Sequence, residues 1–249
     1  MLSKSQISLL RSLQNKKDRT EQSIFLVEGL KSVVEFIHSA YHIGAIYHTA
    51  SFDPKVLKLS QKINLSEISA TDLKKISSLK TPQQIIAAVK IPAWPALDNT
   101  QLKQKFSLVL DGVQDPGNMG TIIRSADWFG IQHIICSEDT VDVYNPKVVQ
   151  ASMGSLSRMR VHYGDLTGVL PKIGLPVYGA MLDGENIYRT DFGTEGLIVM
   201  GNEGSGVRPG VEKLITKAVT IPRKGNAESL NVAIATALFC SEINRKSFK

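Results

Sequence analysis

The carboxyl-terminal half of the chain alternates short apolar runs with segments of helix length, and this alternation restricts the fold more than any other feature. The runs are SLVL at 107–110, HIIC at 133–136, RMRVH at 158–162, PVYGA at 176–180, LIVM at 197–200 and AVTI at 218–221. Apolar strands that alternate with helices are typical of a largely parallel sheet covered on both faces. Ligands of such sheets bind beyond the carboxyl ends of the strands, so functional residues are expected in the loops that follow these runs.

The first ninety residues predict a second, smaller α/β unit, and 249 residues are enough for two cores. Strands are expected at 24–27, 43–48, 64–68 and 84–89, and helices near 3–12, 29–38, 54–61 and 70–77. Two prolines then bracket Trp94, a composition that favours a linker. The predicted division is a domain at 1–90, a linker at 91–105 and a second domain at 106–249.

Positive charge is concentrated in the first part of the chain. Residues 1–105 hold 15 Lys and Arg against 8 Asp and Glu, whereas residues 106–249 hold 14 against 15. Because Lys and Arg make phosphate contacts, this distribution fits a polyanion-binding module joined to a catalytic module. A solvated lysine-rich surface explains the charge equally well, so charge alone leaves both interpretations open.

The cysteines and the apolar stretches indicate a reducing, cytoplasmic location. Cys136 and Cys240 lie in apolar segments and are interpreted as small buried thiols rather than as a disulfide. The longest apolar run, 232–240, is too short to span a bilayer, and the first twenty residues contain no secretory core. We therefore expect no membrane association.

The five histidines do not predict a metal site. His38 and His42 are four residues apart, but no third ligand cluster accompanies them and the helix is expected to end between them. His133 and His162 fall in predicted strands and are interpreted as packing or edge residues.

The first loop of interest, LDGVQDPGNMGTIIRSADWFG, includes the end of the run at 107–110 and continues beyond it. Its Pro-Gly pair predicts a tight turn, with Asn118 as the N-cap of a helix and Gly130 as its end. Arg124 lies off the apolar stripe of this helix, and its guanidinium can reach back toward the Asn118 loop because helical side chains slant toward the N-terminus. The alternative is a surface arginine paired with Asp127 three residues later.

The second loop is GNEGSG at 201–206. Its three glycines allow close approach of the backbone to a ligand, and Glu203 supplies one carboxylate. The pattern is not the G-x-G-x-x-G of dinucleotide sites, and the sequence contains no G-x-x-x-x-G-K-[ST], so nicotinamide cofactors and P-loop hydrolysis lose support. The glycine-rich first turn of Rossmann-type methyltransferases is also missing.

The third loop opens the segment IPRKGNAESLNVAIATALFCSEINR at 221–245. A helix is expected to begin near Ser229, and it is apolar almost all round, which predicts burial in the core or against a second subunit. Ser229 and Asn231 at its start need polar partners there, and each is interpreted singly as a helix cap.

Together, DPGNMGTIIRSA, IVMGNEGSG and IPRKGNAESLNVAIA resemble the three motifs of the SpoU branch of the SPOUT methyltransferases, which methylate the ribose 2′-hydroxyl of RNA with S-adenosylmethionine. The intervening NPKVVQASMGSLSRMRV is similar to the middle segment of that family, and the resemblance covers 106–245. The stretch KSQISLLRSLQNKKDRTEQSIFLVEGLKSVVE resembles the start of the RNA substrate-binding domain, related to a ribosomal-protein fold, that precedes the methyltransferase domain in many members.

The resemblance implies an α/β fold whose carboxyl-terminal domain, with a mostly parallel sheet, forms a trefoil knot and dimerises. It assigns catalytic positions to Asn118, Arg124, Glu203, Ser229 and Asn231, and backbone contacts with S-adenosylmethionine to Gly201, Ile221 and Leu230. No metal is required, because the methyl group of the donor is already activated. We assign Arg124 to the adjacent phosphate and to developing alkoxide charge, since a guanidinium is a poor base. Arg223 departs from the family, which often has methionine there.

Two alternatives to a ribosomal RNA methyltransferase remain open at this point. The tRNA-modifying branch tends to carry helical extensions at both ends, and the chain stops at Lys249 soon after the third motif, which favours ribosomal RNA over tRNA. The other alternative is a catalytically idle RNA-binding or ribosome-assembly factor on the same scaffold. The presence of all the polar motif residues disfavours it.

Overall fold

The computed structural model describes residues 2–59, 63–97 and 99–245. Its helices are α1 (Lys4–Ser12), α2 (Lys16–Gln22), α3 (Leu30–Ile37), α4 (Ala70–Ile76), α5 (Pro116–Trp128), α6 (Pro146–Ala151), α7 (Leu166–Ile173), α8 (Pro209–Glu212) and α9 (Val232–Asn244). Its strands are β1 (Ile24–Glu28), β2 (Ile43–His48), β3 (Leu65–Glu67), β4 (Ile85–Lys90), β5 (Phe106–Leu110), β6 (His133–Cys136), β7 (Arg160–Tyr163), β8 (Val177–Asn186), β9 (Gly196–Met200) and β10 (Lys217–Thr220). Short 3₁₀ helices lie at Pro54–Leu57, Asn99–Gln101 and Ser155–Arg158.

The chain divides into two compact units. The first consists of Met1–Ala93 and Asp142–Arg158, and the second of Trp94–Val141 and Met159–Lys249. This division differs from the predicted 1–90, 91–105 and 106–249 in two respects. The segment 142–158 packs with the first unit, and Leu102 of the predicted linker is fully buried in the core of the second.

The first unit contains a four-stranded sheet in the order β1-β4-β2-β3, with β2 and β3 parallel and the other pairs antiparallel. Each of its strands lies within two residues of the predicted position. The helix predicted at 54–61 is a 3₁₀ helix at Pro54–Leu57, and positions 60 and 61 of that prediction lie outside the described residues. Helix α2 was not predicted, because its sequence KKDRTEQ has no apolar periodicity and its buried residue is Arg19.

Long-range contacts hold the segment 142–158 in the first unit. The guanidinium of Arg19 donates to the Asp142 carboxylate with an Nη2–Oδ2 distance of 2.5 Å, and both groups are almost completely shielded from solvent. The rings of Phe25 and Tyr144 lie 4.6 Å apart between centroids. Because these partners are more than one hundred positions apart, no local sequence pattern predicts the contact.

The second unit is built on a six-stranded sheet in the order β10-β8-β9-β5-β6-β7, and all its recorded pairs are parallel. The prediction of an α/β fold with a mostly parallel sheet is confirmed. From β5 the chain proceeds outward through β6 to β7 and then crosses to β8, so the direction of winding reverses between β5 and β9. The carboxyl ends of β5 and β9 therefore flank the topological switch point, where ligands of such sheets bind.

The starts of α5 and α9 differ from the predicted ones. Asn118 was expected to cap α5, but the helix begins at Pro116 and the Asp115 carboxylate accepts the Asn118 N–H at 2.7 Å. Proline suits the first helical position because it has no N–H to satisfy, so the cap falls one residue before it. Helix α9 was expected to begin near Ser229, but its N-cap is Asn231, whose Oδ1 accepts from the N–H groups of Ala233 and Ile234 in the first turn.

A buried histidine, His133, and a partly buried one, His162, lie on neighbouring strands of the second sheet, as the sequence predicted. The rings of His133 and His162 stack with centroids 5.9 Å apart, and His133 is only 4% exposed. Within the described residues, Nδ1 of His133 and Nε2 of His162 have no hydrogen-bond partner. Burial, followed by the nearby His162 and Arg160, lowers the pKa of His133 to about 4. Both rings therefore pack as neutral groups.

Acidification should destabilise the second unit through His133. Above pH 6.5 the ring is neutral in the folded and unfolded states, whereas between pH 6.5 and 4 only the unfolded chain binds the proton. We expect the free energy of unfolding to fall by up to about 3 kcal/mol across this interval, as measured by urea unfolding at a series of pH values. His133→Leu should flatten the profile and the exposed His38→Gln should not; an equal pH dependence in His133→Leu would contradict this assignment.

Both cysteines are free and buried, and burial raises the pKa of each thiol. None of the described helices has the length and apolar character needed to cross a bilayer. Across residues 2–59, 63–97 and 99–245, no group of three or more His, Cys, Asp or Glu side chains is arranged to hold a metal ion.

Candidate active site

Three polar side chains from the three sequence motifs meet in one hydrogen-bonded network. Asn118 Nδ2 donates to Glu203 Oε1 at 2.8 Å, and Asn231 Nδ2 donates to Asn118 Oδ1 at 2.9 Å. Glu203 and Asn231 lie 85 and 113 positions after Asn118 in the chain, so the fold alone brings the three residues together. Asn118 occupies the centre and satisfies both ends of its amide.

The local structure of each helix start explains this arrangement. Because Asp115 caps α5, the side chain of Asn118 is left to face the neighbouring loops. Asn231 has two functions at once, since its Oδ1 caps α9 and its Nδ2 reaches Asn118. The start of α5 and the start of α9 are thereby tied to each other, and the two helices also pack together along their lengths.

The glycine loop after β9 is a closed and closely packed turn. Asn202 and Gly206 exchange two backbone hydrogen bonds of 2.9 Å, and Asn202 Oδ1 accepts from the N–H groups of Gly204 and Ser205. A Cβ atom at Gly201 would lie 2.3 Å from the carbonyl carbon of Gly206, so only glycine fits there. The turn therefore holds the backbone that carries Glu203 in one conformation.

An ion pair between a buried carboxylate and an exposed arginine lies beside this network, and sequence reasoning missed it. Asp111, at the end of β5, is completely buried, and its carboxylate accepts from the backbone N–H of Arg208 at 2.8 Å and from its Nε at 2.7 Å. Arg208 Nη2 also donates to the same carboxylate. This hydrogen bonding raises the pKa of Arg208 above its ordinary value. A charged residue directly after a buried strand at a switch point is the one sequence signal that could have indicated Asp111.

Arg124 and Ser229 lie outside the observed network. Arg124 is exposed on α5, six residues after Asn118. Ser229 is exposed two residues before Asn231 and does not cap α9. The functions assigned to both residues stay predictions.

The three residues predicted to receive S-adenosylmethionine lie on the segments that carry the network. Gly201 precedes Glu203, Leu230 precedes Asn231, and Ile221 directly follows β10. Leu230 is 50% exposed and Ile221 is partly exposed. Apolar side chains left open beside a glycine turn fit an aromatic ligand such as an adenine ring, which would cover them. The residues present therefore suit this cosubstrate.

Arg223, the departure from the family pattern, acts locally. Its Nη1 donates to the carbonyl of Ala227 at 2.9 Å, within the loop between β10 and α9. The guanidinium therefore braces the third motif loop.

A cavity of about 520 Å³ lies at the carboxyl ends of β6 and β7, next to the Asp111–Arg208 ion pair. Its lining includes Arg208, which also pairs with Asp139 at 3.3 Å, and the carboxylates of Glu138 and Asp165. A hydrogen bond from Ser137 and the neighbouring Arg208 lower the pKa of Asp139. The charged side chains of the lining are therefore mainly acidic.

The arrangement can orient a polar substrate group but holds no strong base or nucleophile among the described residues. Amide and carboxylate groups converge at the network, and an exposed arginine lies on the same helix as Asn118. Such groups position hydroxyls by hydrogen bonding and stabilise negative charge that develops in a reaction. This composition suits a transfer reaction whose other partner is already activated.

Family models match almost the whole chain. The model of the SpoU rRNA methylase family matches residues 105–241, and that of the MRM3-like substrate binding domain matches residues 4–87. The first match covers more than half of the chain.

Individual relatives match along their full length. The chain is 30% identical over 234 residues to the 23S rRNA (guanosine(2553)-2′-O)-methyltransferase RlmP of Bacillus subtilis, which covers 92% of this chain and 91% of the relative. A TrmH-family structure from Porphyromonas gingivalis superposes with a TM-score of 0.89 at 42% identity, covering 99% of each chain. An AdoMet-bound rRNA methyltransferase from Sinorhizobium meliloti gives a TM-score of 0.88 at 26% identity, covering 100% of this chain and 98% of the other.

Proposed function

The chain belongs to the SpoU rRNA methylase family, and we propose that it transfers a methyl group from S-adenosylmethionine to a ribose 2′-hydroxyl of ribosomal RNA. The observation that carries the proposal is the hydrogen-bonded network of Asn118, Glu203 and Asn231, which unites one polar residue from each motif. The B. subtilis relative is named as an enzyme of this reaction class on 23S rRNA.

The chemistry divides between the donor and the residues of this chain. The donor supplies a methyl group on a positively charged sulfur, which is reactive without a metal. Gly201, Ile221 and Leu230 would hold it by their backbone groups and by the open apolar surface of Leu230. The task left to the protein is to place the ribose hydroxyl in line with that methyl group and to stabilise charge on the oxygen.

The polar motif residues are proposed to perform this task. Glu203 and Asn231 hold Asn118 from both sides, so the amide keeps a fixed orientation at the site. Ser229, exposed beside Leu230, offers a hydroxyl that can accept or donate a hydrogen bond to the nucleotide. Arg124 would bind the phosphate next to the target ribose and stabilise the oxygen as it loses its proton.

Ribosomal RNA is the proposed substrate rather than tRNA. The match of residues 4–87 to a substrate-binding domain gives the positive charge of this part of the chain a function. Electrostatic RNA binding by this unit should weaken strongly as salt rises, because each phosphate contact releases counterions. We place the activity in the cytoplasm, where bacterial ribosomes such as those of the named relatives lie.

We further propose that the second unit is threaded as the trefoil knot of the family and that two copies associate through α5 and α9. These helices pack together and leave large apolar side chains open: Trp128 is 85% exposed, and Ile234 is 53% exposed. Water contact with such side chains is unfavourable, and a second copy of the same surface would cover them.

Ile234→Glu should convert the dimer into a monomer, because a carboxylate would be buried against an apolar surface. The measurement is the molar mass in solution by light scattering or sedimentation at micromolar concentration. Val56→Glu alters an apolar side chain of similar exposure, 48%, in the first unit and should leave the mass unchanged. A wild-type chain that is monomeric under these conditions would contradict the proposal.

The function is tested by incubating the protein with S-adenosylmethionine and ribosomal RNA, free or within ribosomal particles. Methylation of the 2′-hydroxyl protects the adjacent phosphodiester from alkali, so one protected position is expected after hydrolysis. Protection confined to tRNA would establish the tRNA alternative. RNA binding without protection and without measurable donor affinity by calorimetry would establish the idle factor.

A further inference from the structure

We infer that the ion pair between the buried Asp111 and the exposed Arg208 is a positioning device for Glu203, and that Arg208 is therefore required for the proposed methyl transfer although it lies outside the Asn118–Glu203–Asn231 network. The inference rests on the proposed function and extends it. It derives from the way in which the loop after β9 is attached to the loop after β5.

Three links join these two loops. Asn202 Nδ2 donates to the carbonyl of Gly112 at 2.7 Å, Asn118 Nδ2 donates to Glu203 Oε1 at 2.8 Å, and Arg208 donates to Asp111 through its backbone N–H, Nε and Nη2. In the sequence, Glu203 lies between Asn202 and Arg208. Its backbone is thus attached on both sides, once by an amide and once by an ion pair to a buried carboxylate.

The loop after β5 is itself fixed, so it can serve as a reference for Glu203. The backbone N–H of Gly112 donates to Ser137 Oγ at 2.9 Å, and the Asp111 N–H donates to the carbonyl of Met200 at 2.9 Å. Farther along, Asp115 caps the helix that carries Asn118. If Arg208 moved, Glu203 would therefore shift while Asn118 stayed in place.

Of the two links that flank Glu203, the one through Arg208 is the stronger, because the carboxylate to which Arg208 donates is buried. Asp111 is completely buried, and a charge without water must be paired and hydrogen-bonded. Glu203, by contrast, has an exposed side chain, and because its turn is fixed internally, its position relative to Asn118 depends on how the two ends of the turn are attached. Small displacements of a positioned group reduce the rate of a reaction much more than they reduce binding.

The test compares Arg208→Gln with Asp139→Asn as a matched control. Asp139 is the other carboxylate paired with Arg208, but it is 48% exposed, and its loss leaves the hydrogen bonds between Arg208 and Asp111 in place. We expect Arg208→Gln to lower kcat about 10- to 100-fold with the dissociation constant of S-adenosylmethionine changed less than about threefold. Asp139→Asn should leave both within about twofold. Equal kcat in Arg208→Gln and wild type would overturn the inference.

A second mutation distinguishes positioning from general loss of structure. If Arg208 acts through Glu203, adding Arg208→Gln to a Glu203→Gln protein should lower kcat by less than about threefold more. If the losses of kcat in the two single variants multiplied in the double variant, the inference would be overturned. Arg208→Lys, which keeps the charge and the backbone N–H, serves if the glutamine variant does not fold, and it should show the same dependence on Glu203.

Hydrogen exchange tests the attachment independently of activity. Amide exchange in a peptide covering 201–208 should accelerate at least about tenfold in Arg208→Gln and remain unchanged in Asp139→Asn. Unchanged exchange in Arg208→Gln would overturn the inference even if the enzyme is active. A wild-type protein without methyltransferase activity would instead refute the proposed function, while the exchange result would still decide whether Arg208 holds the loop.

Discussion

Replacing Arg19 with methionine is expected to lower the free energy of unfolding of the first unit by about 3–5 kcal/mol. The guanidinium is 3% exposed and is held by the Asp142 carboxylate and by the carbonyls of Leu13 and Gln14, each at 2.9 Å. Methionine fills similar space but leaves the largely shielded carboxylate without its cation and both carbonyls without the guanidinium donor. The measurement is urea unfolding followed by far-ultraviolet circular dichroism.

Lys17→Met is the control in the same helix. Lys17 is 84% exposed and lies 3.9 Å from Glu21, so its loss should change the free energy of unfolding by less than about 0.5 kcal/mol. Combining Arg19→Met with Asp142→Asn removes the unpaired charge and should recover part of the loss. An Arg19→Met protein that unfolds at the wild-type urea concentration would show that the segment 142–158 is not held by this pair.

Arg19 also illustrates why the domain boundaries were harder to predict than the elements. Strands such as 43–48 and 133–136 follow from apolar runs, because a buried strand needs apolar residues wherever it lies in the fold. The attachment of 142–158 to the first unit depends on single partners, Arg19 and Phe25, more than one hundred positions away. No periodicity or composition carries such information, and α2, which presents Arg19, has no apolar stripe at all.

The candidate site shows the same contrast between local and distant information. The position of the loops beyond β5, β9 and β10 follows from the alternation of strands and helices. The polar residues on these loops were identified by the resemblance to the family. The cap of α5 was predicted one turn too late, since Asn118 and Asp115 are both good caps and Pro116 decides between them. The Asp111–Arg208 pair was missed because each residue taken singly resembles an ordinary loop charge.

Arg124→Ala is expected to lower kcat for RNA methylation by about 100- to 1000-fold while leaving the free energy of unfolding nearly unchanged. The side chain is exposed on α5, so its removal costs little folding energy. An exposed guanidinium on the helix that carries Asn118 can bind a phosphate and stabilise an oxygen that is losing its proton.

The measurements are single-turnover methylation of ribosomal RNA, calorimetric affinity for S-adenosylmethionine, and urea unfolding on the same preparations. Donor affinity should be unchanged, because Arg124 is assigned to the RNA side of the reaction. Arg124→Lys should recover only part of the rate, since an ammonium cannot contact phosphate and ribose oxygens in the same planar geometry. Arg189→Ala, another exposed arginine of the second unit, should retain full activity. An Arg124→Ala protein with wild-type kcat would remove this residue from the mechanism. If the substitution lowered only the free energy of unfolding, the role of Arg124 would be structural.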